Sequence, residues 1–287
     1  MRRDVWAKVN DLHERFEKVG LAVPHIFLPE AGTDLQKWAV VACDQFTSEK
    51  NYWAAVETYV GDSPSTLHLI FPETYLEDAD GETRIKKIRQ QMHNYLQKRV
   101  LSSQPPGFVF VDRETPHTKS RKGLVVAVDL EHYDYHKGSK TLVRATEGTI
   151  LDRLPPRIKI REGAEVELPH IMVLLDDPEK SIIEPLAAEA EQAHSNMKQL
   201  YDFDLMMNSG HLTGYLVNEE RLLDQILRGL EKLADSKNYA KKYGIQEPPL
   251  LFAVGDGNHS LAAAKAVWER LKENTPDKKS IMSHPAR

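Results

Sequence analysis

Residues 255–260 read Gly-Asp-Gly-Asn-His-Ser, between an apolar run, LLFAV, and an alanine-rich one, LAAAK. That order predicts a strand, a glycine turn and a helix. Such a junction attracts anions, because first-turn N–H groups have no intrahelical acceptor and the helix dipole favours negative charge. Gly255 and Gly257 allow positive φ and close backbone approach. Asp256 could hold a divalent metal or orient a substrate hydroxyl, and His259 could donate to a phosphate or move a proton. Asn258 and Ser260 add an amide and a hydroxyl for phosphate binding. The plainer alternative is a helix cap, with Asn258 or Asp256 closing the N-terminus and His259 at the surface.

Spacing removes two known phosphate loops. A P-loop needs Lys-Ser/Thr after its last glycine, and none is present. A dinucleotide fingerprint needs a third glycine where Ser260 stands and an acid on a later strand. Another polar loop, RATEGTILDRLPPR, offers Arg144, Glu147, Thr149, Arg153 and Arg157. Its arginines could clamp phosphate while Glu147 takes a proton or a metal. NSGHLTG places His211 in a turn, and Asp44 stands at the expected end of a strand, where open α/β sheets place ligand groups. Cys43, the single cysteine, reads as core rather than nucleophile.

The surrounding pattern supplies the elements. Val5, Trp6, Val9, Leu12, Phe16 and Val19 recur at helical spacing. KWAVVACDQF and STLHLIFPE read as strands, with a helix between them capped by Thr47 or Ser48. A helix is expected over 83–100, an antiparallel pair in GFVFVDRE and KGLVVAVDLEHY, and a stretch dominated by loop residues over 135–167. PHIMVLLDDP reads as a buried strand, SIIEPLAAEAEQAH as a helix, and DFDLMMNSGHLTGYLV as a strand pair. Asn218 is expected to cap a helix through Leu222, Ile226, Leu230 and Leu233, before the final strand and helix. The class is α/β (α+β), a mixed β-sheet with flanking helices. One unit over 1–287 is expected, with a subdomain break near 136–167.

The chain has 287 residues and a formal net charge of −5, so no basic excess recommends nucleic acid or an anionic membrane as a partner. A lone cysteine and the lack of a spanning apolar stretch give a cytoplasmic expectation. A homo-oligomer is compatible with the composition.

The ordered blocks LHLIFPE, RATEGTILDRLPPRIKIREGAEVELPHIMVLLDDP, DFDLMMNSGHLTGYLV and LLFAVGDGNHSLAAAK resemble the bacterial and archaeal family called domain of unknown function 1015. The likeness runs over nearly the whole chain. Members continue beyond a segment like His284–Arg287, so the resemblance implies a C-terminally incomplete chain. Many carry Asp-Gly-His-His-Arg where this sequence has Asp256 to Ser260. That fuller form is similar to the nucleotide-handling motif of the ParB and sulfiredoxin-like group, which includes free-serine kinases. The glycine-rich helix entry together with the separate Arg/Glu/Thr loop gives the expected activity: phosphoryl transfer or hydrolysis on a nucleotide or phosphorylated metabolite with Mg²⁺, kinase-like or phosphohydrolase-like. Asp256 would hold the metal, Glu147 or His259 would handle the proton, and Arg144 would stand in for the motif arginine that is Ser260 here. The alternative expectation is a non-catalytic protein that binds a small anion, in a regulatory role.

Overall fold

The computed structural model describes residues 11–192 and 194–287. Among these, helices flank two four-stranded sheets and two two-stranded ones, a mixed α/β arrangement. One larger sheet is antiparallel throughout, in the order Lys198–Asp204, His211–Val217, Phe108–Thr115, Thr118–Val125. Both expected hairpins lie in it, but of KGLVVAVDLEHY only Lys122–Val125 belongs to the first; Ala127–Val128 pairs with Leu21–Ala22, and Leu130–His132 is a 3₁₀ turn. Phe108, Phe110 and Val217 join a large core with Leu222, Ile226 and Leu230 of the Glu220–Ala234 helix. Those helix positions repeat every four residues, which puts them on one face.

The other larger sheet carries the Gly-Asp-Gly turn. Its order is Tyr133–Asp134, Val143–Ala145, Phe252–Asp256, Met172–Leu174, with the first two pairings parallel and the last antiparallel. The Phe252–Asp256 strand ends one residue before the Asn258–Asn274 helix. Trp268 buries that helix against the large core, while Ala262 and Ala263 face Leu154 and Ile158 of the Leu154–Arg161 helix. Two alanines leave little between the backbones, so the helices pack closely. A second core gathers Ile85, Ile88, Met92 and Tyr95 of the Gly81–Gln97 helix around Trp38, Trp53, Leu69 and Phe71.

Several local expectations fail for identifiable reasons. KWAVVACDQF is no strand: Leu35–Trp38 is a helical turn capped by Asp34, and irregular backbone follows. STLHLIFPE is no strand either, since Thr66–Leu69 forms a 3₁₀ turn capped by Ser65. The hydroxyls explain both. The Trp38 carbonyl accepts from Ser65 Oγ at 3.2 Å and Thr66 Oγ1 at 2.8 Å, and the Val40 N–H donates to Thr66 Oγ1. Side chains take the place of a sheet ladder. Asp44 accordingly sits in a turn and not at a strand end.

The Lys50–Val60 helix starts past Thr47 and Ser48, and Glu219 rather than Asn218 precedes the Glu220–Ala234 helix. Residues 135–167 are not all loop. They hold the Val143–Ala145 strand and the Leu154–Arg161 helix, whose Pro155 falls in the first turn, where no N–H is needed. PHIMVLLDDP yields only Met172–Leu174, 40% and 54% exposed at its two ends, because it is an edge strand. Residues 11–18 are helical; Val5, Trp6 and Val9 lie outside the described residues. No helix among the described residues is long and apolar enough to cross a membrane.

Candidate functional site

The Asn258–Asn274 helix opens at Gly257, which adopts φ +75°. A side chain there would meet Ile171 Cα at 3.1 Å, so both dihedral and space require glycine. Gly255 has no positive φ; its bare face lies against Leu174. Asp256 turns back on the chain, its Oδ1 accepting from the Gly257 N–H at 2.9 Å, and is otherwise exposed. Among the described residues, no acceptor meets the N–H groups of Asn258, His259 or Ser260. Asn258 is 5% exposed and its side-chain Nδ2 has no partner. It does not cap the helix, and Asp256 does not either.

The loop after Val143–Ala145 closes over this helix end. Thr146 is pinned to the Val254 carbonyl by its N–H at 3.2 Å and its Oγ1 at 2.7 Å. Four residues on, the Ile150 N–H donates to His259 Nε2 at 3.1 Å. Nε2 is therefore the acceptor nitrogen and Nδ1 carries the hydrogen, which makes the neutral ring a donor. Thr149 lies between these anchors with its Oγ1 buried and unpartnered.

Charges gather around the imidazole. Burial lowers its pKa first, Arg157 and Arg153 lower it further, and Glu147 and Glu73 oppose them. Arg157 is fully engaged: it grips Glu73 bidentately, Nε to Oε1 at 2.8 Å and Nη2 to Oε2 at 2.5 Å, and donates Nη1 to the Arg153 carbonyl. Arg153, one helical turn before it, is exposed and its guanidinium meets no carboxylate among the described residues. Glu147 is likewise exposed and unpaired. The Glu73 N–H donates to the Cys43 carbonyl at 2.8 Å, which brings Asp44 alongside. The Cys43 thiol, partly buried, is pushed up to about 12 by burial, Asp44 and Glu73, so it is no ready nucleophile.

Two expected members lie elsewhere. Arg144 donates Nε to the Thr141 carbonyl at 2.6 Å and Nη2 to the Pro248 and Pro249 carbonyls at 2.9 and 3.0 Å. Those carbonyls precede the Phe252–Asp256 strand, at the end opposite the glycine turn. Arg144 braces the sheet, and among the described residues the cation beside His259 that meets no carboxylate is Arg153. His211 stands on the antiparallel sheet with Nδ1 2.8 Å from Asp204 and Nε2 2.5 Å from Asp202. Both ring nitrogens face carboxylates, so it is a cross-strand clamp. Among the described residues, no group of three or more metal-ligating side chains is assembled.

These two histidines should titrate in opposite directions. The folded-state value of His259 lies below the ordinary value of about 6.5. The unfolded chain then binds that proton first, and stability is lost as pH falls through the interval below about 6.5. His211 is raised, by its hydrogen bonds to Asp204 and Asp202, so its contribution is complete below about 6.5 and is lost as pH rises through its folded value. Ring-proton NMR should place one midpoint on each side of about 6.5. Coincident midpoints would contradict this charge arrangement.

Sequence reasoning passed over Glu73 and His170. Glu73 looked like the end of a strand, and nothing local links it to Arg157, 84 positions away. His170 sat in an apolar run, yet its Nε2 lies 2.9 Å from Ser260 Oγ.

A family model described as "Protein of unknown function (DUF1015)" matches residues 27–287. No curated protein and no solved structure matches the chain.

Proposed function

The chain belongs to the DUF1015 family, and we propose that it binds a phosphorylated small molecule, a nucleotide or phosphometabolite, at the start of the Asn258–Asn274 helix and transfers or hydrolyses its phosphoryl group. One observation carries this reading: an unpaired arginine, Arg153, beside a neutral-leaning imidazole, His259, at a helix end whose first N–H groups are free. Free N–H groups and a helix dipole favour a phosphate oxygen, and Arg153 adds a full charge. His259 donates through Nδ1–H, because Nε2 is occupied by Ile150.

The alternative, a mere helix cap, leaves three features without a purpose. No side chain caps the helix, Asn258 Nδ2 is buried unpaired, and Thr149 Oγ1 is buried unpaired. Unsatisfied buried donors are unfavourable unless a ligand or water meets them. Glu147, exposed and near enough to raise the His259 pKa, would take a proton from a hydroxyl or water that attacks the phosphate directly. Mg²⁺ fits this donor set, since it takes one or two carboxylates together with ligand phosphates. Asp256, through the oxygen not bonded to Gly257, would hold it together with the ligand phosphates, and it would neutralise developing phosphate charge.

Calorimetric titration with pyrophosphate and Mg²⁺ checks the reading. Saturable binding is expected for the native chain, and Arg153→Ala should weaken it about tenfold to a hundredfold, the worth of one charge-assisted hydrogen bond. Unchanged affinity in Arg153→Ala, or no heat in the native chain, would count against it.

A further inference from the structure

We infer that Ser260 is a nucleophile toward phosphorus, with His170 as its general base. The inference rests on the phosphate-binding reading above and adds a covalent step to it. Ser260 Oγ and His170 Nε2 are 2.9 Å apart, hydrogen-bond distance, although 90 positions separate them in the chain. The other ring nitrogen, Nδ1, lies 3.3 Å from the Leu168 carbonyl. A carbonyl oxygen only accepts, so Nδ1 carries the ring hydrogen and Nε2 presents its lone pair to the Ser260 hydroxyl. That polarity is the one a general base needs, and a backbone carbonyl here does the orienting that a carboxylate does in other triads. Glu167, the nearest acid in sequence, is paired with Arg161 at 2.8 Å and leaves this role to Leu168.

The location suits the chemistry. Ser260 lies in the first turn of the helix whose N–H groups are free, so the oxygen that gains charge on a phosphorus under attack would face backbone donors. Buried Asn258 Nδ2, two residues earlier and unpartnered, is a further donor of the same kind. In the step, the Ser260 O–H proton passes to His170 Nε2 and the oxygen forms a bond to phosphorus. The bond from phosphorus to the leaving oxygen breaks, and that oxygen takes the proton back from the imidazolium. Water then attacks the phosphorus of the phosphoserine and gives a proton to His170 Nε2; the bond from phosphorus to Ser260 Oγ breaks, that oxygen takes the proton back from the imidazolium, and inorganic phosphate leaves.

A fluorophosphonate probe tests the pair without relying on phosphate affinity. It carries phosphorus with a fluoride leaving group, so Ser260 Oγ would form the new bond, fluoride would leave, and the proton would go to His170. Peptide mapping by mass spectrometry should find the label on Ser260 in the native chain and absent in Ser260→Ala. In His170→Gln the labelling rate should fall about a hundredfold. A buried-fold control comes from the near-ultraviolet circular dichroism of Trp268 and Trp53 in each variant. Labelling spread over exposed serines, or an equal rate at Ser260 in folded His170→Gln, would overturn the inference. Pyrophosphate binding with no labelling would remove the nucleophile and leave the binding site standing. Labelling with no pyrophosphate binding would do the reverse.

Discussion

Glu73→Ala should destabilise the folded chain by about 3 kcal/mol, read from urea unfolding. The two side chains of the Glu73–Arg157 pair are only 17% and 14% exposed, and the contact is bidentate. Removing one partner strands a desolvated charge, which is the expensive way to break such a pair. Removing both should cost less than the sum, and a double-mutant cycle with Arg157→Ala should return a coupling of about 2 kcal/mol. The same substitution also reaches the candidate site. Glu73 is one of the two carboxylates that raise the His259 pKa, so its loss leaves Arg157 and Arg153 unopposed from that side and lowers the midpoint further. Single-mutant effects below about 0.5 kcal/mol, the range of ordinary surface changes, would show the pair to be incidental.

Gly257→Ala is expected to be nearly as costly, about 2–3 kcal/mol. Left-handed backbone disfavours a Cβ by about 1–2 kcal/mol, and here the added carbon would also press on Ile171. One of the atoms it meets, Ile171 Cα at 3.1 Å, is backbone and cannot swing aside. Gly255→Ala is the control. It has no positive φ, and its nearest neighbours are Leu174 Cδ1 at 3.2 Å and Cγ at 3.3 Å, on a side chain at the sheet edge. Its effect should stay within about 1 kcal/mol. Equal losses in the two variants would mean that the helix entry is not held by the geometry at Gly257.

The elements that the sequence made legible are those whose signal is local. The helices around Ile85–Tyr95 and Leu222–Leu230 show their buried face as a period, and Phe108–Thr115 with Thr118–Val125 shows as β-rich runs about a polar turn. The glycine turn was readable for the same reason, since strand, turn and helix follow without interruption. KWAVVACDQF and STLHLIFPE misled because their apolar content reports burial, which Trp38, Leu69 and Phe71 do have, and not backbone state. Ser65 and Thr66 decide that state by bonding to Trp38, a pairing between segments that no window along the chain reveals.

The site divides along the same line. Asp256 to Ser260, Glu147 and Thr149 are gathered near one helix end, whereas Arg144 and His211 are drawn off by nearer acceptors and Asp44 lies in the turn beside Cys43. Arg153 and Arg144 are alike as residues. What separates them is that Arg144 has the Thr141, Pro248 and Pro249 carbonyls within reach, and Arg153 stands at the first turn of a helix packed beside His259. The partnership of Ser260 with His170 likewise needs the sheet pairing that sets Met172 opposite Asp256.

The binding claim is tested most directly at single residues, by following backbone amide resonances while pyrophosphate and Mg²⁺ are added. Saturable shifts are predicted at Asn258, His259 and Ser260, whose N–H groups are free, and at Ile150, whose N–H contacts His259. The amides beside Arg144 and His211 should stay in place. Shifts centred on Arg144 or His211 instead, or no shift at the start of the Asn258–Asn274 helix at saturating ligand, would contradict the account.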